Sequence, residues 1–304
     1  MTVEERSSTA MDYAVVIPAW NAAAHIRTAL DSVFAQTRAP AQVVVVDDGS
    51  PNGAALIQAL EPYGDRVTLL HQANAGPAAA RNTGVHACTT QWVAFLDADD
   101  HWLPEKMQRQ LALAEGDSRA GLLHGCARAN LPRLPKELDF ATLWRRNRIC
   151  TSMTVVRRSA FEQLGGFDAS PQLVGAEDYH LWLRIAHAGW RVLAVPELIG
   201  HYTPAEGSIT SRIERCAHAE VHNARILGQQ LGLPQEQVKR KVRHIRTDFG
   251  QHLLHARQPQ VARTMLQDAM RCRFSLRRLG LWSATWVPTQ LLDLRRRLRN
   301  PGTR

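Results

Sequence analysis

Short apolar runs alternate with helical patterns through the first hundred residues, and this alternation is the feature that most limits the possible fold. The apolar runs are 13–17, 42–46, 67–70 and 92–96, and helical spacing follows in 22–36, 53–60 and 77–87. Residues 43–46 are four consecutive valines, as expected for a parallel strand covered on both faces. Strands separated by helices build a parallel sheet with right-handed crossovers. We therefore predict an α/β fold with a Rossmann-like, mostly parallel sheet flanked by helices.

The rest of the chain changes character near residue 211. Before that point the pattern predicts strands in 121–127, 151–156 and 190–195, helices in 158–164 and 178–188, and a long surface loop in 128–137. Beyond it only helical patterns occur, in 213–231, 236–256 and 261–272. The net charge is −4 for 1–211 and +13 for 212–304, which together give the +9 of the whole chain. We predict two domains, 1–211 and a basic helical region 212–304.

Several classes of protein are excluded by composition. With 304 residues the chain can bury a core without disulfides or metal. Five widely spaced cysteines without a C-x-x-C pair indicate neither a disulfide framework nor a zinc knuckle. The first residues lack the basic start and apolar run of a signal peptide, and no run of 18 apolar residues occurs. We therefore expect a cytoplasmic location.

Acidic clusters follow two of the predicted strands. Asp47 and Asp48 come directly after the valine run, and 97–100 reads Asp-Ala-Asp-Asp after the strand that ends at Leu96. Ligands bind at the carboxyl ends of strands in open parallel sheets. In an extended chain Asp97 and Asp99 would face the same side, where both could bind a divalent cation that in turn holds phosphates. The alternative is that these residues only cap helices and end strands.

Six motifs in order resemble the inverting glycosyltransferases of family 2, which have the GT-A nucleotide-sugar-binding fold. The resemblance covers about 13–211. The motifs are Val16-Ile-Pro-Ala-Trp-Asn21, Val45-Val-Asp-Asp-Gly-Ser50, Gly76-Pro-Ala-Ala-Ala-Arg-Asn-Thr-Gly84, Phe95-Leu-Asp-Ala-Asp-Asp100, Gly165-Gly-Phe-Asp168 and Glu177-Asp-Tyr-His-Leu-Trp182.

This resemblance implies a donor site for a nucleotide sugar. It makes Pro18 and Ala19 the start of the nucleotide loop and Asp48 the partner of the base. Further residues at this site are Arg81, Asn82, Asp97 and Ala98. The metal, Mg²⁺ or Mn²⁺, is implied at Asp99 and Asp97, with Asp99 in direct contact. For Arg81 the alternative is a surface salt bridge.

The resemblance also implies the catalytic residues. Inversion at an anomeric carbon needs a base that takes the proton of the acceptor hydroxyl, and Asp178 matches the base of the family. Glu177 would orient a substrate or the helix N-terminus, and ordinary acid placement at a helix start is the alternative for both residues. Trp182, one turn later, would either line the bottom of the acceptor site or pack in the core.

Two departures from the family pattern refine the expected activity. Thr203 and Ala205 stand where the family often has Arg and His in an aromatic-Arg-x-His-x-Gly-Ser run, which questions one diphosphate or metal contact. No Gln-x-x-Arg-Trp motif occurs, and within the family this favours transfer of a single sugar over processive synthesis. We expect a glycan or lipid-linked acceptor in envelope or glycoconjugate synthesis. A catalytically silent sugar-nucleotide binder is the alternative.

The basic C-terminal region suggests a surface partner. Leucines, tryptophans and arginines are mixed throughout 276–300, with Trp282 and Trp286 one turn apart. Such a segment can lie in the headgroup layer of an anionic membrane, so we expect a peripheral location at the inner face. The alternative is docking onto the transferase domain or a second subunit. A nucleic-acid-binding role is not expected, because the arginine run lacks a known motif and aromatic or groove-reading residues.

Overall fold

The computed structural model describes residues 11–128, 134–203 and 213–287. Its strands are β1 Tyr13–Ala19, β2 Gln42–Asp48, β3 Thr68–Gln72, β4 Trp92–Phe95, β5 His101–Trp102, β6 Ala120–Cys126, β7 Val155–Arg157, β8 Arg191–Leu198 and β9 Gly200–His201. Its α-helices are α1 Ile26–Phe34, α2 Gly53–Leu60, α3 Pro77–His86, α4 Lys106–Ala114, α5 Phe140–Arg145, α6 Arg158–Gln163, α7 Glu177–His187, α8 Ile213–Gln230, α9 Gln235–His255, α10 Pro259–Cys272 and α11 Leu276–Ala284.

Seven strands form the central sheet, in the order β3-β2-β1-β4-β7-β6-β8. The β1–β2, β2–β3, β1–β4 and β6–β8 pairs are parallel, and β7 is antiparallel to both of its neighbours. The predicted mostly parallel sheet is therefore confirmed. The remaining strands, β5 and β9, form a small antiparallel pair.

The sheet is covered because both its strands and its helices bury apolar residues. β1 and β2 are buried along nearly their whole length, as the consecutive valines predicted. In α1 the buried residues are Ile26, Ala29, Leu30 and Val33, which recur at the spacing of one helical face. This packing brings the carboxyl ends of β2, β1 and β4 side by side at one edge of the sheet.

The chain divides into two compact units. The first contains 1–170 and 177–205, and the second contains 171–176 and 206–304. In the second unit α9 and α10 pack around a small core of Ala217, Leu253, Leu254, Ala262 and Met265. The predicted boundary near residue 211 lies outside the described residues. Within the described ranges, no helix combines the length and apolar character needed to cross a bilayer.

One predicted strand differs from the structure. Residues 151–156 were predicted as one strand, but Thr151–Met153 is a 3₁₀ turn and β7 begins at Val155. The backbone N–H of Met153 donates to Cys150 O (2.9 Å) and that of Thr154 to Thr151 O (2.9 Å), so the turn is closed locally before the strand begins. The turn directs two polar side chains toward the sheet edge described next.

Candidate functional site

The carboxyl ends of β1, β2 and β4 bring most of the predicted donor-site residues to one sheet edge. Ala19 pairs with Asp47 across the β1–β2 ladder, and Val16 pairs with Phe95 across the β1–β4 ladder. The ends of these neighbouring strands therefore lie side by side, with 18–19, 47–48 and 97–100 at the same edge. This is the arrangement predicted for a ligand site in an open sheet.

Asp48 holds the loop that leads into α3. Its side chain is buried and accepts hydrogen bonds from Gln72 Nε2 (2.7 Å) and from the backbone N–H groups of Ala75 and Gly76 (2.8 Å each). These bonds order the loop at the edge where the predicted nucleotide would bind. The predicted contact of Asp48 with a nucleobase stays a prediction.

Trp20 is a residue that the sequence analysis missed. It follows Ala19 at the end of β1, and 58% of its surface is exposed. The next residue, Asn21, has φ 52° and donates its backbone N–H to Ser50 Oγ (2.9 Å), which links the loops after β1 and β2. The ring therefore lies exposed on an ordered loop at the same sheet edge as Asp47 and Asp48. The sequence signal that could have identified Trp20 is an aromatic residue directly after the Pro-Ala end of a strand.

Residues 97–100 form a turn, so the predicted extended alternation of Asp97 and Asp99 is wrong. The backbone N–H of Asp100 donates to Asp97 O (3.1 Å), and a turn brings the carboxylates together as the alternation would have. Burial and the nearby Asp97 raise the pKa of Asp99. The same two causes raise the pKa of Asp100 to about 7, although it accepts hydrogen bonds from Ser152 Oγ (2.5 Å) and Thr203 N (2.8 Å).

This excess of negative charge fits a bound cation. Within the described residues, no group of three or more His, Cys, Asp or Glu side chains is arranged to hold a metal ion alone. Mg²⁺ is typically held by one or two carboxylates together with substrate phosphates, so Asp97 and Asp99 suit an ion that arrives with a diphosphate. Ala98, between them, is buried in the turn.

Arg81 connects this turn to the start of α7. Its side chain is buried, with Nη2 donating to Asp97 Oδ1 (2.6 Å) and Nη1 to Glu177 Oε1 (3.3 Å). Burial alone would lower the pKa of Arg81, but Asp97 and Glu177 together raise it. The guanidinium of Arg81 is buried, so its ion pairs are not the surface salt bridge of the alternative, although the Asp97 carboxylate is partly exposed. Glu177 binds Arg81, and its predicted role of orienting a substrate or the helix N-terminus stays a prediction.

Asn82 holds a loop rather than pointing freely at the sheet edge. Its Nδ2 donates to Phe167 O (2.8 Å) and its Oδ1 accepts from Phe167 N (2.9 Å). Gly166 lies against this amide with φ 72°, and a Cβ there would come within 2.8 Å of Asn82 Oδ1. The hydrogen bonds favour a positioning role for Asn82, and its predicted contact with the nucleotide stays a prediction.

Asp178 has the properties of a general base. It lies in the first turn of α7, where Oδ2 accepts from Thr151 Oγ1 (2.8 Å) and Oδ1 accepts from Tyr179 N (2.5 Å). Burial and the neighbouring Glu177 raise the pKa of Asp178 to about 6, while the Thr151 hydroxyl and Arg81 act in the opposite direction. A carboxylate with this pKa is ionised at neutral pH and takes up a proton more readily than an ordinary Asp.

Thr151 and Ser152, like Trp20, are residues that the sequence analysis missed. Thr151 bonds to Asp178, while Ser152 Oγ donates to Asp100 Oδ2 and accepts from Asp97 N (3.1 Å). One 3₁₀ turn therefore links the acidic turn to the candidate base. No local sequence signal marks these roles, because both depend on contacts between distant segments.

Trp182 packs in the interior. It is fully buried, and its ring meets that of Phe167 edge to face at 5.9 Å. A side chain without exposed surface cannot line an open acceptor site, so the structure favours the core-filling alternative. The altered family run begins at Thr203, whose backbone N–H bonds to Asp100, while Ala205 lies outside the described residues.

Comparisons with known proteins show which family the chain resembles. Residues 14–165 match the family described as Glycosyl transferase family 2, and 139–294 match Glycosyl transferase family group 2. An uncharacterized glycosyltransferase of Nostoc sp. is 30% identical over 231 residues, which are 70% of this chain and 66% of that protein. TuaG of Bacillus subtilis, a glycosyltransferase assigned to teichuronic acid biosynthesis, is 27% identical over 65% of this chain and 81% of its own length. The chain spans just under two thirds of the Nostoc relative.

A solved structure shares the fold. The mannosyltransferase PcManGT from Pyrobaculum calidifontis, in complex with GDP-Man and Mn²⁺, has a TM-score of 0.64 and 24% sequence identity. The match covers 94% of this chain and 83% of that one. This likeness establishes the architecture of the chain, a GT-A sheet followed by helices.

Proposed function

The chain belongs to glycosyl transferase family 2, and we propose that it transfers a single sugar from a nucleotide diphosphate sugar to an acceptor hydroxyl, with inversion at the anomeric carbon. We propose a glycan or lipid-linked acceptor of the cell envelope, which is the context named for the Bacillus subtilis relative. No aspect of the site favours the alternatives of a silent binder or a nucleic-acid-binding protein.

One observation carries the proposal: Arg81 binds the acidic turn and the first turn of α7 at the same time. Through Asp97 it contacts the turn suited to a diphosphate and its cation, and through Glu177 it contacts the residue next to Asp178. For direct displacement, the donor diphosphate and the acceptor hydroxyl must bind side by side. The buried guanidinium of Arg81 therefore fixes the acidic turn relative to the first turn of α7.

In the proposed reaction Asp178 accepts the proton of the acceptor hydroxyl as the hydroxyl oxygen attacks the anomeric carbon. The nucleoside diphosphate leaves from the opposite face of the sugar. Thr151 holds one oxygen of Asp178, so the carboxylate has a fixed orientation when the acceptor binds. Glu177 is unsuited to the same task, because its carboxylate is buried in an ion pair with Arg81.

Asp97 and Asp99 would hold Mg²⁺ or Mn²⁺ together with the donor. When bound, the cation would supply positive charge against the phosphates of the leaving nucleoside diphosphate. The carboxylates of the turn fit this role, since their mutual repulsion and burial raise the pKa of Asp99 and Asp100. The Mn²⁺ in the structure of the archaeal neighbour is consistent with it.

The nucleotide would lie on the loops after β1 and β2. Pro18 and Ala19 end β1 there, and the Asp48 carboxylate orders the loop before α3. The exposed ring of Trp20 offers a flat surface on which a nucleobase can stack. The base and the sugar of the donor are left open by this proposal.

We also propose that the chain binds an anionic membrane surface through α11 and its surroundings. Exposed apolar side chains here include Phe274, Leu276 and Leu279, and α11 has no buried residue. Partial burial and then Arg243, Arg273 and Arg277 lower the pKa of Arg278, which reflects uncompensated positive charge. Apolar and basic groups together suit a headgroup layer. Residues 288–300 of the predicted segment lie outside the described residues.

Replacing Asp178 tests the proposed reaction. Asp178→Asn keeps the size of the side chain but cannot accept the proton, so kcat should fall by about 10²–10⁴-fold. Binding of a nucleoside diphosphate with Mn²⁺, measured by calorimetry, should remain near that of wild type. Asp65→Asn removes an exposed carboxylate elsewhere and should leave both quantities unchanged. A loss of kcat of tenfold or less would contradict the assignment of Asp178 as the base.

A further inference from the structure

The loop between α5 and the 3₁₀ turn is attached at both ends to the helix that carries the candidate base. At its start, Tyr179 Oη donates to Leu143 O and to Trp144 O (3.3 Å). At its end, Thr151 Oγ1 donates to Asp178 Oδ2 (2.8 Å). The six residues 145–150 therefore form an arc whose end lies beside the base and whose start is held by the next residue of α7. Six residues span at most about 20 Å even when fully extended.

Burial alternates along this arc. Ile149 is buried and Asn147 is half-buried, whereas Arg146 and Arg148 are exposed. The backbone at Arg146 is extended, with φ −158° and ψ 137°, and Asn147 Oδ1 accepts from Ile149 N (3.0 Å). This bond closes an Asx turn at 147–149. Arg146 and Arg148 are thus exposed on either side of Asn147, while Ile149 anchors the arc in the interior.

These two arginines have no acidic partner of their own. Neither guanidinium has a hydrogen bond or an ion pair with any part of the chain that the structure describes. The acids at the start of α7 are already engaged, since Glu177 binds Arg81 and Asp178 accepts from Thr151. Two adjacent positive charges without a counter-charge repel each other, and an anion would relieve that repulsion.

We propose that Arg146 and Arg148 bind an anionic group of the acceptor, and that the acceptor is therefore a glycan or polyol that carries phosphate or carboxylate. This inference rests on the proposed function, because Asp178 defines where the acceptor hydroxyl binds. Arg148 is three residues from Thr151, which bonds to Asp178, and Arg146 is two residues from Trp144, which bonds to Tyr179. These short tethers let both side chains reach a charged group on the same or the next unit of the acceptor. The planar guanidinium fork matches both carboxylate and phosphate. The diphosphate of the donor is assigned to the separate turn at 97–100.

The test measures binding of small acceptor-like probes to the full chain in the presence of Mn²⁺ and a nucleoside diphosphate. Trigalacturonate supplies carboxylates, a short glycerol phosphate oligomer supplies phosphates, and maltotriose is the neutral counterpart. Wild type should bind at least one anionic probe, and more weakly as salt concentration rises. Arg146→Ser/Arg148→Ser should weaken that binding about tenfold, as expected for two exposed charge contacts. Arg146→Lys/Arg148→Lys should restore most of it.

Controls separate this inference from general charge effects and from the proposed function. Arg119→Ser/Arg225→Ser removes the same charge from two other exposed positions and should leave probe binding unchanged. Nucleotide affinity and the unfolding temperature should be unchanged in every variant. The inference is overturned if wild type prefers maltotriose or binds no anionic probe, if both double serine variants lose binding equally, or if Arg146→Ser/Arg148→Ser instead weakens nucleotide binding. Failure of wild type to bind any nucleoside diphosphate would count against the proposed function instead.

Discussion

The Thr151 hydroxyl is one of the groups that set the proton affinity of Asp178. Thr151 Oγ1 donates to the carboxylate and so favours its ionised form, which partly offsets the effects of burial and of Glu177. The base acts only when ionised, so the rate should rise with pH through about 6 and level off above it. The hydroxyl therefore extends the working pH range toward lower pH.

Thr151→Val removes this donor and should raise the pKa of Asp178. The acidic limb of the profile of kcat against pH should move to a pH about one unit higher, while activity at pH 8 changes little. Thr151→Ser keeps a donor and should return the limb toward its wild-type position. A uniform loss of kcat at every pH, with the limb unmoved, would indicate a purely structural role for Thr151.

We expect Asp99 to determine how much a divalent metal increases the affinity of the chain for a nucleoside diphosphate. In Asp99→Asn one of the two carboxylates proposed for the cation is neutral, so the gain in nucleoside diphosphate affinity caused by Mn²⁺ should shrink. Calorimetry with and without Mn²⁺ measures this gain directly. Asp65→Asn serves as a control with the same change of charge at an exposed position. Undiminished affinity that is independent of metal in Asp99→Asn would contradict the assignment.

Among the elements of the fold, the loop 165–167 is held in part by the Asn82 amide, beside the bond from Arg184 to Gly166 O. Asn82 satisfies both the N–H and the C=O of Phe167, whose ring packs on Trp182. Asn82→Ala leaves two partly buried backbone groups unpaired and should lower the free energy of unfolding by about 1–3 kcal/mol. Chemical denaturation measures the loss, and Gln58→Ala, on an exposed face of α2, should be nearly neutral.

Nucleotide affinity distinguishes this explanation from the sequence prediction for Asn82. If the amide only positions the loop, Asn82→Ala should bind nucleoside diphosphates almost as well as wild type at a temperature where both are folded. Unchanged stability combined with a tenfold or greater loss of affinity would favour direct contact with the nucleotide.

The elements that sequence predicts well are those whose own residues fix them. α2 was predicted with its observed bounds, and β2 was identified by its valines, because local apolar spacing decides both. α4 was missed although Met107, Leu111 and Ala114 recur on one buried face, so a signal was present there. β5 and β9 have two residues each, and they are stabilised only by pairing across a hundred residues.

In the candidate site, too, the sequence identified the residues whose roles depend on local motifs and missed those whose roles depend on distant contacts. Motif residues such as Asp97, Glu177 and Asp178 were identified because their types and spacing match a known family. Thr151 and Ser152 were not, since an ordinary Thr-Ser pair acquires its role only when the fold brings it to the base and to the acidic turn. The engagement of Asn82 with a loop was likewise visible only in three dimensions.

For the whole molecule, the uneven charge distribution leads to a prediction about location. The region 212–304 has a net charge of +13 and the rest −4, so a negatively charged surface should attract one end of the chain. Each basic residue near an anionic membrane contributes about 1 kcal/mol, and the exposed apolar residues around α11 add burial in the headgroup layer. The full chain should therefore float with anionic vesicles at low salt and dissociate at high salt.

Two variants of the full chain separate the contributions to this binding. Arg277→Glu/Arg278→Glu should abolish flotation with anionic vesicles, because it reverses charge where several arginines already crowd together. Leu276→Ser/Leu279→Ser should weaken binding but keep its dependence on salt, since the charges remain. Vesicles of neutral lipid should bind none of the proteins, because the apolar patch is small. If wild type ignores anionic vesicles at low salt, the exposed face of α11 serves packing or oligomerisation instead, and the proposed peripheral location fails while the proposed chemistry at Asp178 is unaffected.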